Sequence, residues 1–153
     1  MEETSVFEKF ELHLSQSAKD FLRETAKWAY IVSIIGFIGI AFLLLMALFA
    51  GTLFSTLGNT VPGMGVVGGS FGLIIGIIYF VLAAIYFFPV YYLFKYAKGT
   101  KEALLLHDSD ALEAALGYLK SHHKFVGIMM IVILSIYVVA LFGIIVAAAA
   151  FGH

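Results

Sequence analysis

Cysteine is absent from this chain, which excludes disulfides, thiolate zinc sites and a cysteine nucleophile. Charge is nearly as scarce. Only 12% of residues are Asp, Glu, Lys or Arg against a usual level of about 25%, while 62% are apolar against about 45–50%. A water-soluble domain of 153 residues has too much surface for that balance, so the excess apolar surface must meet lipid or other subunits. The net charge of −1 lacks the basic excess of a nucleic-acid partner.

Where charge is missing is more telling than how much is missing. Every Lys, Arg, Asp and Glu falls within residues 1–27 or 95–124, leaving 28–94 and 125–153 uncharged. Three apolar runs fit these blocks: Trp28–Ala50, Ser70–Phe94 (with room to extend over Val66–Ala97) and Phe125–Ala150. Each reaches roughly 34–39 Å as a helix, enough to cross a hydrocarbon core of about 30 Å with some tilt. Residues 101–124 cannot supply a fourth span, being interrupted by Glu102, Asp108, Asp110, Glu113 and Lys120. The first run, behind a 27-residue polar leader, is too long for a cleavable signal and is expected to remain as a span. The fold class is therefore all-α: one membrane domain with three transmembrane helices.

Lys19, Arg23 and Lys27 precede the first span, and Lys95, Lys98, Lys101, Lys120 and Lys124 lie between the second and third. The 51–69 connection and the last three residues carry no Lys or Arg. The positive-inside rule puts 1–27 and 95–124 in the cytoplasm, with 51–69 and the C-terminus outside. Trp28 and Tyr30, and Tyr86, Tyr91, Tyr92 and Tyr96, fall at the inner ends of spans, where amphipathic rings prefer to lie.

Two cytoplasmic helices are expected. Ser17-x-x-Asp20 resembles a capping box, with a helix from about residue 16 running into the first span. Before it, Phe10–Leu14 alternates in a way that fits an extended segment. Lys98-Gly99-Thr100 reads as the end of the second span. Asp110, with Glu113 at the third helical position, then offers a cap for a short helix over 110–120. Leu112, Leu116 and Leu119 form its apolar stripe, joined by Ala115 and Tyr118 beside it, which lies at the inner membrane surface, packs against the N-terminal arm or remains a solvated linker. With Trp28 and Tyr92 they make up the candidate cytoplasmic interface.

Gly68, Gly72 and Gly76 repeat every four residues, a glycine-zipper pattern that lets another backbone approach closely. The face suits packing within the chain, a homo-oligomer contact or a pore lining. Pro89 removes a backbone donor, should free the Ile85 carbonyl, and predicts a kink in the second span. The 51–69 segment is read as a short external connection, with a re-entrant loop as the alternative. The five histidines, His13, His107, His122, His123 and His153, read as interfacial or solvated side chains rather than metal ligands. No Asp, Glu, Lys, Arg or His lies within the spans, although proton relays and intramembrane hydrolases generally carry such residues. With no Walker loop and no H-E-x-x-H either, neither catalysis nor a cofactor is expected.

Phe21–Leu45, Phe88–Ala97 and Leu119–Val139 resemble a family of small, functionally uncharacterised membrane proteins from Bacteroidetes-type bacteria. The shared features are a Lys-Trp leading into the first span, Phe-Pro-x-Tyr-Tyr at the exit of the second and Leu-Lys-Ser-His before the third. The resemblance implies a bacterial inner membrane and no activity; with the orientation from the charge pattern, the N-terminus is expected in the cytoplasm and the C-terminus in the periplasm. The expectation is a structural or accessory protein that self-associates or binds other membrane proteins in the lipid bilayer. The alternative is a homo-oligomeric conduit lined by Gly68, Gly72 and Gly76.

Overall fold

The computed structural model describes residues 15–60 and 65–151. Among them only Ser15, His107 and Asp108 lie outside a helix, and there is no strand. The helices are α1 (Gln16–Thr60), α2 (Gly65–Leu106) and α3 (Ser109–Phe151), of 45, 42 and 43 residues. All three are long and apolar enough to cross a membrane. At 1.5 Å per residue each is roughly 63–68 Å long, about twice the thickness of a hydrocarbon core. The helices therefore extend well past any bilayer that holds them.

This length changes the expected ends of the elements. Residues 51–60, read as loop, continue α1. Their threonines are satisfied inside the helix: Thr52 Oγ1 donates to Phe49 O at 2.9 Å, Thr56 to Thr52 O at 2.8 Å and Thr60 to Leu57 O at 2.7 Å. Gly99-Thr100 does not end α2, which runs on to Leu106. Residues 110–120 are not a separate helix, because α3 continues without a break from Ser109. Pro89 sits inside α2, and the helix persists on both sides of it. Outside the apolar layer helix propensity favours continuation, since 101–106 and 110–120 are rich in Ala, Leu, Lys and Glu, all strong helix formers. The alternating segment Phe10–Leu14, His13 and His153 lie outside the described residues.

The caps also differ from those expected. Ser15, rather than Ser17, caps α1, its Oγ accepting from the Ala18 amide at 3.3 Å. Asp108, rather than Asp110, caps α3, its Oδ1 accepting from the Ala111 amide at 3.0 Å. Both bonds join the cap to the third helical residue, the usual reach of a short side-chain acceptor.

α2 packs on both α1 and α3, whereas α1 and α3 do not pack on each other. The α1–α2 pair is antiparallel and joined along its length by small residues. A Cβ on Gly72 would lie 2.9 Å from the Ala50 carbonyl oxygen and 3.1 Å from the Gly51 Cα. One on Gly76 would lie 2.9 Å from the Ala47 carbonyl oxygen. Towards the other end, Gly36 receives Val90, and Phe37 sits between Phe87 and Phe94 with ring centroids 6.2 and 5.7 Å away. Gly72 and Gly76 thus pack within the chain. The face proposed for a conduit is covered there by α1, while Gly68 lies in α2 with surroundings outside what is described.

Candidate functional site: the α2–α3 junction

Apart from those in the first turns of α1, the charged residues of the described chain lie in the parts of α2 and α3 that meet at their turn. The turn has two residues. His107 adopts a left-handed φ of 56°, and the Asp108 amide reaches back to Ala103 O at 3.0 Å. This bond from the second residue past the helix to its third-last turn position is the Schellman closure, usually built on glycine. Here histidine occupies the left-handed position. Asp108 then starts α3, so one residue ends the closure of α2 and begins the next helix.

Above the turn the helices approach closely because small residues face each other. A Cβ on Gly99 would be 3.1 Å from the Ala115 Cβ, so glycine at 99 serves close packing rather than helix termination. Ala29 of α1, Tyr96 and Ala97 of α2 and Ala115 of α3 form one buried cluster, flanked by Leu93 and Leu119. The Thr100 hydroxyl is sealed nearby without a hydrogen bond of good geometry. The Tyr96 phenol, one turn away, is close enough to interact with it.

Further from the turn, Tyr92 stacks on Tyr118 with centroids 6.5 Å apart, and Phe88 meets Phe125 at 6.0 Å. Between these pairs lies a polar link: His122 Nδ1 donates to the Pro89 carbonyl at 2.8 Å. A carbonyl can only accept, so Nδ1 carries the proton. The proline therefore contributes a carbonyl to the interhelical contact, whereas the expected consequence was the carbonyl freed at Ile85. His123 makes a different bond, Nδ1 to Leu119 O at 2.9 Å on its own helix. Lys95 lies 5.7 Å from the Tyr91 ring centroid and Lys98 5.4 Å from that of Phe94, both within cation–π range.

Of the residues expected at a cytoplasmic interface, the structure brings Tyr92 and Leu119 into this junction, with Leu112 half-buried close to the turn. Leu116 is 41% exposed and Trp28 58% exposed, and neither joins the cluster. The inward stripe of α3 is Ala115, Leu119, His122 and Phe125, about one position round from the leucine stripe. His122 and Gly99 were missed as contact residues, while Ala115 and Tyr118, expected beside the leucine stripe, both make contacts here. The three-to-four spacing of 115, 119 and 122 was the available signal, but leucines dominated the apolar pattern beside it. Among the described residues no three His, Asp or Glu side chains gather as a metal site.

From Met130 to Ala150 every residue of α3 is exposed, and none of its most apolar window is buried. No protein-family model, curated protein or solved structure matches this chain.

Proposed function

We propose that this protein is a non-catalytic accessory subunit of a membrane assembly, with α1 and α2 as its scaffold and α3 as its docking helix. The observation that carries this reading is the contrast between the helices. α1 and α2 bury small residues along their contact, whereas every residue of α3 from Met130 to Ala150 is exposed. Lipid-facing surface has no hydrophobic drive to associate, so a specific contact there would rest on van der Waals packing and helix shape. A second copy of the chain or another membrane protein fits that surface equally. The conduit alternative loses its support, because Gly72 and Gly76 already receive α1.

The charge pattern supports an orientation with residues 1–27 and the α2–α3 turn in the cytoplasm. The resemblance noted above supports a bacterial inner membrane. Because the chain has no cysteine, single cysteines on α3 report contacts without background. Ile136→Cys and Phe142→Cys should cross-link to a second copy or to a co-purifying membrane protein in native membranes. Monomeric mass in mild detergent together with no cross-linked product at either position would remove the assembly reading.

A further inference from the structure

A crevice of about 230 Å³ opens between α2 and α3, lined by Tyr92, Ser121, Lys124, Phe125 and Ile128. Its lining changes character along the helix axis. Ser121 and Lys124 share one turn of α3, and Phe125 and Ile128 occupy the next turn on the same side. Tyr92 contributes a phenol from α2. A molecule filling this space meets a cation and hydroxyls at one end and hydrocarbon at the other.

The register of the pair makes the cation unusual. Phe88 meets Phe125 and Pro89 receives His122, so Lys124 stands level with about Phe88. The last charged residue of α2 in that direction is Lys95, seven positions away, or about 10 Å along the axis. α3 has no acid after Glu113, α2 none before Glu102, and α1 none after Glu24. A positive charge is thus carried into the aromatic, apolar layer with no carboxylate of these helices at its level. Such a charge is costly in a bilayer unless it snorkels or meets an anion.

We propose that this crevice binds an anionic phospholipid of the phosphatidylglycerol type. Its phosphate lies against the Lys124 ammonium and the Tyr92 phenol, and the first part of an acyl chain lies along Phe125 and Ile128. The Ser121 hydroxyl already donates to Gly117 O at 2.9 Å. Its oxygen is left to accept, which suits the glycerol hydroxyl of the headgroup. Beyond Met129 α3 becomes fully exposed, so the crevice continues into open lipid where the rest of the chain can run. The proposal rests on α2 and α3 standing in a bilayer and not on α3 having a protein partner, so the two can fail separately.

The test uses the purified full chain, delipidated and titrated by native mass spectrometry with phosphatidylglycerol or phosphatidylcholine of matched acyl chains. Wild type should retain phosphatidylglycerol more strongly, and Lys124→Gln should lower that preference about fivefold. Lys124→Arg should restore most of it, and Lys98→Gln, which removes the same charge elsewhere, should leave it unchanged. Circular dichroism confirms the fold of each variant. Equal retention of both lipids by wild type, or an equal loss in Lys98→Gln, would overturn the site. So would displacement of the lipid by inorganic phosphate alone, which would mark an ion site.

Discussion

At the scale of single residues, space and hydrogen bonding decide what each position tolerates. A side chain on Gly72 would collide with the backbone of α1, which cannot yield as a flexible side chain would. Gly72→Leu should therefore destabilise the α1–α2 pair, by about 1–3 kcal/mol as overpacking does. Gly39, with nothing within 4 Å of its built Cβ, should accept leucine without loss. Thermal unfolding in detergent separates the two, and equal melting points would refute the close contact. Thr100 makes the opposite case. Its buried hydroxyl has no well-formed bond, so Thr100→Val keeps the shape and removes a desolvated polar group. The variant should be as stable as wild type or more so, by up to about 1 kcal/mol. A clear drop in melting temperature would mean that the Tyr96 phenol is a real partner.

At the scale of elements, α2 and α3 form a helical hairpin held near the turn and free beyond it. The turn is defined by the closure onto Ala103 and the Asp108 cap, and the pair is then held by Gly99–Ala115, Tyr92–Tyr118 and His122–Pro89. The last is the outermost polar link. His122→Ala removes about 1 kcal/mol at the point where the helices begin to part. The distance distribution between spin labels at Ile77 and Ile136 should broaden in this variant while helix content stays constant. An unchanged distribution would show that ring stacking alone sets the angle. The register of α3 was only partly readable from residue types. Its apolar residues are so numerous that several faces look equally buried, and the contacts with Gly99, Pro89 and Phe88 select the one that carries Ala115, His122 and Phe125.

At the scale of the whole molecule, the two layers of charge differ in kind. Glu102, Asp108, Asp110 and Glu113 sit near the turn together with Lys101, while Lys95, Lys98, Lys120 and Lys124 lie further along towards the apolar halves, beyond the last acid of either helix. Basic residues nearest the membrane and acids beyond them suit an anionic lipid surface. This arrangement predicts opposite labelling of Asn59→Cys and Asp110→Cys by an impermeant reagent in sealed vesicles. Labelling of both from one side would overturn the three-span arrangement.

By itself the sequence determined the class of molecule and the number of its apolar helices. Both depend on where ionisable side chains are missing, and a missing charge is as plain in one dimension as in three. Residues 28–94 and 125–153 needed no structure to read as two spans and one. Helix ends, caps and partners were another matter. The glycines and threonines of 51–60 look like loop until their hydroxyls are seen bonded back into α1. Ser17 and Asp110 look like caps until Ser15 and Asp108 are found accepting the amide bonds. Only the tertiary structure decided that the Gly72–Gly76 face belongs to α1 and that Lys124 lies level with Phe88. Those outcomes depend on which backbones come close enough to exclude a Cβ, a distance that no single position carries.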